Sequence, residues 1–157
     1  NGLEIQKGNY RDRKISLSAR TNQSRGYWGN FNFSKGDYFG GNKTSWNTSI
    51  GRQFSNHLTL YGSANQNIIF MPNQGEFTAN IYGFTAEVAL NREWFGKALI
   101  QYDNFSNQLQ LYCRINWIHT PGSDLFIVIN RLYDMSGNNK SLIQNTQVVK
   151  LTYLFQI

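Results

Sequence analysis

The sequence predicts an all-β fold, an antiparallel transmembrane β-barrel wall with about nine strands present. Three observations carry this. Apolar and polar residues alternate over segments of about ten residues parted by turn residues, which is the pattern of strands with one face to lipid and one to a lumen. Aromatic residues reach 15%, with 11 Phe, 9 Tyr and 4 Trp against 2 Pro, a composition suited to sheet and to interfacial aromatic girdles. The chain closes on Val148-Val149-Lys150-Leu151-Thr152-Tyr153-Leu154-Phe155-Gln156-Ile157. Read with period two, Val149, Leu151, Tyr153, Phe155 and Ile157 form one apolar row, as in a C-terminal strand that serves as an outer-membrane sorting signal.

The strands follow in order. Lys14–Thr21 sets Ile15, Leu17 and Ala19 against Lys14, Ser16, Ser18 and Arg20, and a turn at Ser24-Arg25-Gly26 ends it. Tyr27–Phe39 places Tyr27, Phe31 and Phe33 opposite Asn30, Asn32 and Ser34, before a loop over Gly40–Lys43. Thr44–Phe54 carries Trp46, Thr48 and Ile50 on one face; Leu58–Met71, after Ser55–His57, carries Leu58, Leu60, Gly62, Ala64 and Ile68. Pro72-Asn73-Gln74-Gly75 breaks the ladder, since proline cannot donate a hydrogen bond. Phe77–Leu90 sets Tyr82, Phe84, Ala86 and Val88 against Thr85 and Glu87; Phe95–Tyr102 sets Ala98, Ile100 and Tyr102 against Lys97, Leu99 and Gln101. Leu109–His119 alternates most clearly, with Leu109, Leu111, Cys113, Ile115 and Trp117 opposite Gln110, Tyr112, Arg114 and Asn116. Leu125–Leu132 is apolar on both faces and its orientation stays open. A polar loop over Met135–Asn145 precedes the final strand, which is expected to run to the C-terminus.

The 157 residues suit one domain, residues 1–157, with no linker. Mean hydropathy is −0.49, and no stretch approaches the ~20 apolar residues of a helical span. A net charge of +6 alone would permit nucleic-acid binding. The cations are scattered along the strands as Lys14, Arg20, Arg52, Lys97, Arg114 and Lys150, without a basic helix or motif, so no nucleic acid is expected. Turn lengths place Ser24–Gly26, Ser55–His57, Asn91–Trp94 and Pro121–Asp124 on the periplasmic side, and longer loops at Gly40–Lys43, Pro72–Glu76 and Met135–Asn145 outside; Asp103–Gln108, also outside, is the one discord, shorter than usual. The first strand then enters from outside. An odd strand count with that entry points to the C-terminal part of a larger barrel that residues 1–157 do not close alone; a complete eight-stranded barrel is the rival, and a soluble sandwich is the alternative at the level of the fold.

Several segments occur in an order that resembles a known family: Gln6-Lys7-Gly8-Asn9-Tyr10, Tyr38-Phe39-Gly40-Gly41, Met71-Pro72-Asn73-Gln74-Gly75-Glu76-Phe77, Gln101-Tyr102-Asp103-Asn104, Arg114–Ile118, Pro121–Phe126 and Val149–Phe155. The chain resembles the C-terminal barrel region of Bacteroidetes-type outer-membrane proteins with an N-terminal carbohydrate-binding family 9-like domain, whose barrel domain has no settled activity. The resemblance implies the bacterial outer membrane, a longer chain with a signal peptide and a β-sandwich upstream, and no catalytic residues. Ile129-Asn130 and the final Ile157 depart from the family's pattern.

Chemical motifs are sparse. His57 and His119 sit at expected turns with no partner at metal-ligand spacing, and Cys113 lies on an apolar face without a base. Glu87 and Asp103 can be imagined as a glycosidase pair, but acids paired with bases in a lumen explain them as well. Asn-x-Ser/Thr triplets at Asn22, Asn32, Asn42, Asn47 and Asn104 are compositional. No cofactor, metal or enzymatic role is expected. The expected function is a membrane anchor or a subunit of an envelope uptake or secretion complex, linked to glycan binding through an upstream domain. Its partners would be outer-membrane lipid, the barrel assembly machinery and other envelope proteins. An anion-preferring channel is the alternative, with the charged residues Lys14, Arg20, Glu87, Lys97, Arg114 and Lys150 facing the lumen.

Overall fold

The computed structural model describes residues 12–22, 26–72, 74–137 and 140–155. The segments at Gln6–Tyr10, most of the Ser24-Arg25-Gly26 turn, Asn73 in the Pro72–Gly75 loop, residues 138–139 of the Met135–Asn145 loop, Gln156 and Ile157 fall outside them.

The chain is a nine-stranded antiparallel meander: β1 (Lys14–Arg20), β2 (Tyr27–Tyr38), β3 (Gly41–Ser55), β4 (Leu58–Met71), β5 (Gly75–Ala89), β6 (Trp94–Asp103), β7 (Gln108–Thr120), β8 (Ser123–Asp134) and β9 (Ser141–Thr152). Each strand pairs with its neighbours in sequence, and the order in the sheet is the chain order. β1 and β9 are open edges, so the sheet is not closed. One layer is present among the described residues and no second sheet packs on it, so the soluble sandwich does not describe this fold.

The strands match the expected alternation because a period of two is a purely local property. Their ends do not always match. The expected loop over Gly40–Lys43 is a two-residue turn, Phe39-Gly40, with φ of 47° and 80°; two successive positive φ values fit the right-handed twist of a tight hairpin. The connections at the two ends of the sheet have the same range of lengths, two to six residues, so loop length does not orient the strands.

The final strand also differs. It begins at Ser141, inside the expected loop, because Ser141, Leu142, Gln144 and Asn145 pair with Asp134, Tyr133, Leu132 and Arg131 of β8 through the backbone, which is indifferent to side-chain polarity. It ends at Thr152, not at the C-terminus, because its last partner is Asp124 and β8 begins only one residue earlier. Beyond the ladder, the Leu154 N–H donates to the Ser123 hydroxyl at 3.0 Å, and the Leu154 side chain lies over Gly122. Of the expected sorting row, Val149 and Leu151 are in the strand, while Tyr153 and Phe155 lie past it with their rings 4.6 Å apart.

Burial is inverted relative to a water-soluble domain. Among the described residues only Ile69 and Met71 are buried hydrophobics, whereas Thr85, Asn116 and Ser123 are buried polar groups. Large apolar side chains such as Leu17, Ile50, Phe84, Ile115 and Leu151 are 45–72% exposed.

Candidate functional site

The register sorts the side chains into two faces. On one face, successive partners across the sheet run Ile50, Gly62, Phe84, Ile100 and Leu111, and a parallel row runs Leu58, Val88, Gly96, Ile115, Ile127 and Val149. Cys113 lies on this face between Ala98 and Ile129. The strand left open in the sequence is thereby assigned: Leu125, Ile127 and Ile129 of β8 join the apolar face, and Phe126, Val128 and Asn130 the other.

The apolar face is a band that crosses the sheet obliquely. On β9 its strand residues are Val149 and Leu151; the row through Leu151 passes Leu125, Trp117 and Trp94 and meets Leu90, whose N–H donates to the Trp94 carbonyl. On β1 the band is Ile15, Leu17 and Ala19; the row through Leu17 passes Phe33, Trp46 and Gln66 and reaches Asn80. Asn80 and Leu90 are ten residues apart along the chain. A drift of ten residues over the eight steps from β1 to β9 is about 1.3 residues per step; at a rise of about 3.3 Å and a strand spacing of about 4.8 Å, the band meets the hydrogen-bond rows at roughly 40°.

The charged and amide side chains on this face lie at the band's borders, while Thr48 lies within the band. Arg52 is at one border, its guanidinium 4.6 Å from the Tyr27 ring and 4.5 Å from the Phe54 ring. Gln66, Asn80 and Arg131 lie at the other, with Arg131 Nε donating to Asn145 Oδ1 at 3.4 Å. Aromatic rings collect along both borders. Trp94 and Trp117 stack at 5.4 Å on one side, and Trp46, packed against Phe33 at 4.6 Å, together with Tyr82, Tyr102 and Tyr133, lies on the other.

The opposite face carries the charged residues expected from the sequence. Lys14 and Arg20 of β1, Glu87 of β5, Lys97 of β6, Arg114 of β7 and Lys150 of β9 all project to it by register. Between them, β1 to β4 present a field of small polar groups, with Ser18, Asn32, Asn47 and Asn65 in one row and Ser16, Ser34, Ser45 and Asn67 in the next. Ser45 Oγ donates to Asn67 Oδ1 at 2.8 Å.

The structure brings only some of the charges together. Lys97 and Glu87 are cross-strand partners with Nζ 3.0 Å from Oε1, and Lys97 also donates to Tyr61 Oη at 3.0 Å. Tyr61 stands against Trp28, ring centroids 5.6 Å apart, beside a depression of about 440 Å³ lined by Trp28, Gln53, Thr59, Tyr61 and Glu87. Asp103 is committed to its own turn: its carboxylate accepts from the Phe105 N–H at 2.9 Å and the Ser106 hydroxyl at 2.9 Å. It lies six residues along β6 from Lys97, the partner of Glu87, or about 20 Å, so the two acids form no carboxylate pair. Lys97–Glu87 is the one ion pair among the described residues; of the two acids expected to pair with bases, Glu87 does so and Asp103 does not.

His57 is a structural turn residue, Nδ1 2.6 Å from the Ala89 carbonyl. His119 is inside β7 rather than at a turn, its ring 5.1 Å from that of Trp117. No cluster of metal-ligating side chains occurs among the described residues. No family model, characterised protein or solved structure matches the chain.

Proposed function

We propose that this chain is part of the wall of a bacterial outer-membrane β-barrel, acting as a membrane anchor or as a subunit of an envelope uptake or secretion complex. The observation that carries the reading is the oblique apolar band. A flat bilayer cutting strands that hydrogen-bond row to row leaves a lipid contour oblique to the rows only if the strands are tilted, and membrane barrels tilt their strands by about 35–45°. The drift from Leu17 on β1 to Leu151 on β9 corresponds to roughly 40°.

Rings along both borders of the band support the same reading, since Trp and Tyr favour the bilayer interfaces. So does the inverted burial: Leu17, Ile50, Phe84 and Ile115 lack a protein layer to cover them, and lipid supplies one.

Open edges are not tolerated in hydrocarbon, where each unpaired backbone group costs several kcal/mol. β1 and β9 run in the same direction, so an all-antiparallel closure takes an odd number of further strands between them. A link to glycan binding through an upstream domain rests on the family resemblance. That only one ion pair, Lys97–Glu87, occurs among the described residues favours the second reading, an anion-preferring passage along the polar face.

In the full chain reconstituted into lipid vesicles, Cys113 is expected to resist a water-soluble maleimide and to react once detergent and denaturant expose it. Rapid labelling in intact vesicles would contradict the assignment of its face to lipid.

A further inference from the structure

We propose that Arg114 and Lys150, set around Phe126 on the polar face, form a binding site for a soluble oxyanion of the phosphate class. The proposal rests on the barrel reading only in that it takes this face to be the lumen.

Three strands place the site. Asn116 on β7, Phe126 on β8 and Lys150 on β9 are direct cross-strand partners, and Arg114 is two residues from Asn116 on the same face. The Arg114 guanidinium lies 5.2 Å from the Phe126 ring centroid, and the Lys150 ammonium lies 5.8 Å from it. One aromatic ring thus stands beside two cations from neighbouring strands. Arg114 is also held in direction, because its Nε donates to Asn116 Oδ1 at 2.6 Å and Asn116 is only 5% exposed. With Nε committed, the terminal Nη groups remain for a ligand, and they suit an oxyanion that accepts two parallel hydrogen bonds.

The charge balance favours an anionic ligand. Lys97 is the direct cross-strand partner of Arg114, and like charges directly opposite each other destabilise a sheet. Glu87 offsets Lys97 at 3.0 Å, and among the described residues no carboxylate reaches Arg114 or Lys150. Cation–π contact tempers two adjacent positive charges without neutralising them. A bound dianion supplies what the protein leaves out. A lipid phosphate does not fit this face, since the apolar band that would meet the membrane is on the other side of the sheet. Lys14 and Arg20 lie on the same face but on the far edge strand, β1, and provide controls.

The test is titration of the full chain in detergent micelles with inorganic phosphate at constant ionic strength, followed by calorimetry. Saturable binding is expected, weakened at least tenfold by Arg114→Gln and by Lys150→Gln, retained in Lys150→Arg, and unchanged in Lys14→Gln. No saturable binding by the parent chain, or an equal loss in Lys14→Gln, would overturn the site. If a glutamine variant fails to fold, Phe126→Leu replaces it; that variant should change phosphate affinity, and an unchanged affinity would overturn the site. Maleimide labelling of Cys113 in vesicles is read separately, so phosphate binding with a rapidly labelled Cys113 would leave the site standing and remove the barrel.

Discussion

If the apolar band is the lipid face, as proposed, replacing Ile115 with Arg is expected to destabilise the chain in a bilayer by roughly 2–4 kcal/mol, the cost of a cation near the membrane midplane. Ile115 is suited to this test because it sits near the middle of the oblique band on β7, with Gly96 and Ile127 as cross-strand partners and 45% of its surface exposed. No acid lies beside it on that face to offset the new charge: its diagonal neighbours there are Trp94, Ala98, Leu125 and Ile129. The comparison is Arg131→Lys, at the border of the band, where a cation already stands and the change should fall within about 0.5 kcal/mol. Urea unfolding from lipid vesicles measures both.

Gly41→Ala is expected to cost roughly 3 kcal/mol, at the upper end of what overpacking does. A methyl group built on Gly41 would meet the Phe70 carbonyl oxygen at 1.9 Å and the Phe70 carbonyl carbon at 3.0 Å. Those are backbone atoms of β4, so they cannot rotate away as a side chain would; relief requires the β3–β4 ladder to part near Asn42 and Phe70, which are paired. Gly41 also follows the two positive-φ residues Phe39 and Gly40, so the hairpin has little freedom to absorb the shift. Gly26→Ala, where nothing lies within 4 Å of the added carbon, is the control and should be near neutral by the same unfolding measurement.

Strand identity and facing were legible in the sequence wherever one face is apolar and the other polar, as in Leu109 to Trp117, because alternation needs no knowledge of the partner strand. β8 was not legible, since Leu125, Phe126, Ile127, Val128 and Ile129 are all apolar; only its pairing with Arg114 and Ile115 of β7 assigns the faces. The ends of β9 were missed for the same kind of reason. Ser141–Asn145 looks like loop but pairs through the backbone, and the stop at Thr152 is imposed by where β8 begins.

The six charged positions share one face by register, but which of them pair could not be read from composition. Glu87 meets Lys97 because the β5–β6 register sets them opposite each other. Asp103 looked equally available, yet its carboxylate is spent on its own turn, as aspartates at strand ends commonly are. The drift of the apolar band, which carries the functional reading, emerges only when alternation within strands is combined with register between them.

Depth measurement by spin label tests the central claim most directly. In the full chain carrying Cys113→Ser and reconstituted into vesicles, single nitroxide labels are placed at Leu17, Thr48, Phe84, Ile115 and Leu151, and separately at Ile50, Ile100, Leu111 and Asn145, which with Phe84 share one hydrogen-bonded row. The tilted-wall account predicts similar depths near the bilayer centre for the first set, and in the second a steady climb from the hydrocarbon at Ile50 to water at Asn145. Uniform access of water-soluble relaxation agents to every label, or a constant depth along the hydrogen-bonded row, would contradict it.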